Sequence, residues 1–123
     1  MRAILLAMCL AACGGAATPT AQPTTAASTP TATKVDGARA KELVAQGAKL
    51  VDVRSPEEYA AGHVDGAVNV PVDTVSTHDF GAKDGAIIVY CGSGARSARA
   101  ATALTGQGYT AVYDLGAMSN WGR

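Results

Sequence analysis

Five consecutive apolar residues, A-I-I-V-Y at positions 86–90, run directly into the small-residue segment C-G-S-G-A-R. A short β-branched run without polar alternation is the pattern of a strand buried on both faces, as in a parallel sheet. The chain must break at Cys91, because the glycine-containing loop that follows suits neither strand nor helix. From position 97 to 104 the Ala- and Leu-rich composition predicts a helix. A cysteine therefore sits where a buried strand ends and a helix begins.

That position has chemical consequences. Gly92 and Gly94 allow backbone conformations closed to other residues, so successive N–H groups can curl toward one point and form an anion cradle. The positive end of the following helix adds to it, and Arg96 closes the loop with a fork suited to oxyanions. A free thiol titrates near ~8.5, and a helix N-terminus with a neighbouring arginine brings it to roughly 3.5–7.5. The reading is a nucleophilic Cys91 in a pocket built by Gly92, Ser93, Gly94, Ala95 and Arg96 for a small anion. The competing reading is a cysteine that only packs beneath a loop.

At this point the sequence resembles the rhodanese-like sulfurtransferases in their single-domain form. C-G-S-G-A-R is similar to their active-site loop C-x-x-G-x-R after an apolar strand. V-D-V-R-S-P-E-E-Y-A-A-G-H-V-D-G-A-V-N-V-P, at 51–71, resembles their second hallmark, D-x-R followed by E-Y-x-x-G-H-I-x-G-A-x-N-I-P. The resemblance covers about 34–121. It implies that the Cys91 thiolate takes sulfane sulfur from thiosulfate or a related small anionic donor, releases sulfite as a persulfide forms, and passes the sulfur to a thiol or cyanide. The loop amides would stabilise the anion and the terminal sulfur. Two other readings stay open. One is a non-catalytic persulfide carrier. The other is a cysteine phosphatase or arsenate reductase, whose loops place five residues between Cys and Arg where this chain has four, at 92–95.

Asp52 and Arg54 lie two apart at the end of an apolar strand and point the same way. In the family the equivalent pair mostly supports the site and fold, with direct substrate contact as the alternative. The resemblance also implies that His63, in A-G-H-V-D-G, is structural, bonding nearby backbone or Glu57. Ser93 and Ser97 can donate hydrogen bonds to the anion. Arg99 and His78 read as surface residues. No Cys/His cluster has metal-ligand spacing, so neither metal nor cofactor is expected. After the last strand the family has a glycine-rich L-x-G-G turn and a longer helix. Leu115, Gly116, Ala117 and Met118 stand there, so part of the pocket wall is expected to be incomplete.

The remaining order is strand, helix, strand, helix. A strand at 34–35 precedes a helix over 37–46 capped by Asp36, and a strand at 50–53 precedes a helix entered through Ser55 and Pro56 with Glu57 and Glu58 in its first turn. Strands follow at 67–70, 86–90 and 111–113, with 71–80 irregular. This alternation predicts an α/β, rhodanese-like domain: a central parallel sheet of about five short strands with helices on both faces. One Trp, one Phe and four Tyr in 123 residues support one modest core. The formal charge is zero with no basic block, so nucleic-acid binding is not expected. A monomer is.

The first residues read differently. Positions 1–12, M-R-A-I-L-L-A-M-C-L-A-A, carry one positive charge and an apolar run too short to span a bilayer, the pattern of a signal peptide. L-A-A-C resembles the bacterial lipobox, which makes Cys13 the lipidated first residue of the mature protein. Gly14 in place of an aspartate favours the outer membrane. Positions 14–33 hold only small, polar and proline residues, a disordered tether that cannot bury a core. The domain is expected over 34–123, held by an N-terminal lipid on the periplasmic side of a bacterial membrane. With Cys9 removed and Cys13 lipidated, Cys91 would be the one free thiol, which argues against a dithiol oxidoreductase.

Overall fold

A computed structural model describes residues 31–123. The expected signal peptide, the expected lipidation site Cys13 and the expected tether up to position 30 lie outside the described residues. The elements are β1 (Thr33–Lys34), α1 (Gly37–Ala45), β2 (Lys49–Asp52), α2 (Pro56–Ala61), β3 (Val68–Asn69), β4 (Ile87–Cys91), α3 (Ala95–Gly106), β5 (Val112–Ala117) and a 3-10 helix (Met118–Gly122). All strands run parallel in the order β1-β5-β4-β2-β3, the expected α/β sheet.

β4 is central and wholly buried, as its unbroken apolar run demands. Its alternating side chains feed two cores. On one face Ile87, Val89 and Cys91 pack with Val51, Val53 and the inner residues Ala100, Ala101 and Leu104 of α3. On the other, Ile88 and Tyr90 pack with Leu50, Leu115 and the α1 residues Ala40 and Leu43. Asp36 caps α1 by accepting from the Arg39 N–H at 2.8 Å. Gly37 lets α1 start against the carbonyls of Asn120, Trp121 and Arg123, where any Cβ would collide.

Most boundaries differ from expectation by one or two residues, and three differences bear on the architecture. Thr33, placed at the end of the tether, instead pairs with Tyr113 in the sheet. α3 starts at Ala95, because Gly94 already supplies the turn. β5 runs on to Ala117, since a register shift between Val89 and Tyr90 takes up Leu115 as an extra residue. Gly116 follows at φ +79 with its N–H donating to the Asp114 carboxylate at 2.8 Å. Leu115 to Met118 thus close the sheet and start the 3-10 helix.

Candidate active site

Parallel sheets present ligand sites beyond the carboxyl ends of their strands. β4 ends there on Cys91, and α3 begins four residues later. Gly94 occupies the left-handed region at φ +99, which turns its N–H back onto the cysteine. That N–H donates to Cys91 Sγ at 2.9 Å. Burial pushes the thiol pKa up. The N–H groups of Ser97, Gly94 and Ser93, with the Ser97 hydroxyl, outweigh it and hold Cys91 below its ordinary value. The single hydrogen of the Ser97 hydroxyl serves either the sulfur or the Gly94 carbonyl, which lies 2.9 Å away and ties the first turn of α3 to the loop. Cys91 is the free cysteine among the described residues.

Arg96 lies beside this loop, with Nη2 close enough that a Cβ on Gly92 would sit 3.4 Å from it. Its fork does not face an open anion site. Nη1 donates to Glu58 Oε2 at 2.6 Å and Nη2 to Oε1 at 2.9 Å, a bidentate pair across to α2. The Arg96 bond, then the Ser55 N–H, draw the Glu58 carboxyl down to about 2. Glu58 is fixed from behind as well. Oε2 accepts from the Ser55 N–H at 3.0 Å, and the Ser55 hydroxyl accepts from the Glu58 N–H at 3.3 Å, a complete capping box.

Below the loop, Asp52 and Arg54 form a buried ion pair, with Arg54 Nη2 donating to Asp52 Oδ2 at 2.7 Å. Asp52 Oδ2 also accepts from the Tyr90 hydroxyl at 2.9 Å, and that hydroxyl accepts from the Val64 N–H at 3.1 Å. Burial first, with the Asp52 contact, pushes the Tyr90 phenol up to about 12. Arg54 reaches on to the Gly62 carbonyl at 2.5 Å. The network ties the ends of β2 and β4 to the 62–67 turn, directly under the residue before Cys91. Two open concavities, of about 450 and 440 Å³, lie elsewhere: one between His63 and Trp121, the other over Arg99 and Thr102 on α3.

The rhodanese-like domain family matches residues 36–123. The chain belongs to the rhodanese-like sulfurtransferases, an enzyme family. It is 40% identical over 100 residues to "Thiosulfate sulfurtransferase 16, chloroplastic" of Arabidopsis thaliana, covering 68% of this chain and 82% of that protein. It is 39% identical over 85 residues to the thiosulfate sulfurtransferase GlpE of Ectopseudomonas mendocina, covering 67% and 76%. Among solved structures, a human single-domain sulfurtransferase superposes with a TM-score of 0.62 at 28% identity, covering 75% of this chain and 94% of that one.

Within this rhodanese-like frame the expected residues divide. Cys91, Gly92, Ser93, Gly94, Ala95 and Arg96 form one loop, with Ser97 at its foot. Asp52 and Arg54 sit beneath it and are bonded to each other rather than open to the loop. His63 bonds backbone: its Nδ1 lies 2.9 Å from the Tyr59 carbonyl oxygen, and its ring stacks on Tyr59 at 3.8 Å. Arg99 and His78 are exposed. Sequence reasoning placed Glu58 only as a helix-start acid. The available signal was the capping-box spacing S-x-x-E, which says that Glu58 is held but not that Arg96 is its partner.

Proposed function

We propose that this protein is a thiosulfate sulfurtransferase that carries sulfane sulfur on Cys91. The observation that supports it most is the Gly94 N–H aimed at Cys91 Sγ within a ring of amides. Those donors favour the thiolate first and then the terminal sulfur of a persulfide. The Cys91 thiolate attacks the outer sulfur of the donor, the S–S bond to the sulfonyl sulfur breaks, and sulfite leaves with the bonding pair. A thiol or cyanide acceptor then attacks the outer persulfide sulfur and returns the thiolate. No general base is required when the thiolate is already formed. The relatives named thiosulfate sulfurtransferases agree with this donor.

Mass spectrometry after thiosulfate treatment tests it. The peptide containing Cys91 should gain one sulfur, Cys91→Ser should gain none, and cyanide should remove it with repeated turnover. An unmodified peptide in an active preparation overturns the scheme, and a single burst without turnover identifies a carrier.

The L-A-A-C pattern and the small-residue run that leads up to β1 support a second statement: Cys13 carries lipid and holds the domain on the periplasmic face of a membrane, with the outer membrane favoured by Gly14.

A further inference from the structure

The charges around the sulfur leave a surplus of one negative. Asp52 is matched by Arg54 at 2.7 Å and Arg96 is matched by Glu58 at 2.6 Å. Among the described residues, the cation that senses the Cys91 thiolate is Arg96, which is already shared with Glu58. Arg99, one turn further along α3, and Glu57, at the start of α2, are exposed and screened by water. The Arg96–Glu58 pair is partly exposed, at 34% and 40%, but the Ser55 capping box holds Glu58 in place, so a donor that draws the guanidinium away must break both arms of a bidentate pair.

We propose that Glu58 is a positioning residue that neutralises Arg96, so that the cradle favours singly charged sulfane-sulfur donors, thiosulfonates and organic persulfides, over dianionic thiosulfate. This rests on the persulfide reading of Cys91. With a thiosulfonate the thiolate bonds to the outer sulfur, the bond to the sulfonyl sulfur breaks, and a sulfinate leaves with the electron pair. One negative charge enters with the donor and one leaves with the sulfinate. Thiosulfate brings two charges to the same anionic site, and each meets the uncompensated thiolate.

The test compares kcat/KM for thiosulfate and for methanethiosulfonate in the wild type, Glu58→Gln and Glu58→Asp. Glutamine retains a capping-box acceptor, so Glu58→Gln changes charge while keeping the helix start. It should shift the donor ratio toward thiosulfate by about three- to tenfold, the scale of one charge near a protein surface. Glu58→Asp should keep the wild-type ratio within about twofold. Equal losses with both donors in Glu58→Gln would make Glu58 a strut only and overturn the proposal.

A second readout does not involve sulfur transfer. The rate of Cys91 alkylation by anionic iodoacetate, relative to neutral iodoacetamide, should rise in Glu58→Gln by a similar factor. In the wild type the same ratio should rise as ionic strength goes from about 0.01 to about 0.15 M, where the screening length falls from about 30 to about 8 Å. A ratio that falls with salt would mean a net positive cradle and would sink the proposal, even if Glu58→Gln failed to fold. Absence of persulfide with either donor, with the alkylation ratios as expected, would reject the sulfurtransferase reading and leave the charge assignment standing.

Discussion

Acidity at Cys91 is a contest between burial, which favours the neutral thiol, and four hydrogen-bond donors, which favour the anion. The donors prevail, so the thiolate persists to lower pH than an ordinary cysteine and is lost only as pH falls through the depressed value. Ser97→Ala removes the one side-chain donor and leaves the peptide N–H groups in place. Its alkylation-versus-pH curve should move to higher pH, and the rate at pH 7 should drop by about two- to fivefold. The loss of its bond to the Gly94 carbonyl should also lower stability by about 1 kcal/mol. An unchanged curve would show that backbone alone sets the acidity. At this scale Cys91 was legible because its neighbours in sequence are its neighbours in space. The Arg96–Glu58 and Tyr90–Asp52 contacts each span 38 positions and have no local signature.

Among the elements, α3 bears most directly on chemistry because its first turn is also the rim of the cradle. Gly94 starts it at φ +99, where a Cβ would make only ordinary contact with Gly116 Cα at 3.6 Å. The penalty for Gly94→Ala is therefore torsional, about 1–2 kcal/mol, and relaxing it rotates the N–H away from Sγ. Denaturant unfolding should record that loss together with a rise in the pH of half-alkylation. Gly106→Ala in the last turn of the same helix meets open space and should instead stabilise by about 0.5–1 kcal/mol, with alkylation unchanged. Helices and the central strand were readable from capping residues and apolar runs. The extension of β5 was not, because the extra residue at Leu115 answers to β4 across the sheet rather than to its own neighbours.

On the scale of the molecule, parallel pairing separates the two ends of the domain. Thr33 pairs with Tyr113, whereas Cys91 pairs with Ala117 four residues further along β5. At about 3.3 Å per residue the chain enters β1 roughly 13 Å short of the cradle and runs toward it. β1 is therefore entered from the end of the sheet away from Cys91. If Cys13 carries the proposed lipid, the small-residue composition of 14–32 predicts about 25 Å of average reach between the bilayer and β1. Metabolic labelling with a fatty-acid probe should mark wild-type protein and not Cys13→Ala. In the labelled form, removing ten residues from 14–30 should leave sulfur transfer to a small soluble thiol within about twofold. Loss of label would reject the anchor. A retained label with a tenfold fall in rate would instead place the catalytic end against the lipid, contrary to the direction in which β1 enters the sheet.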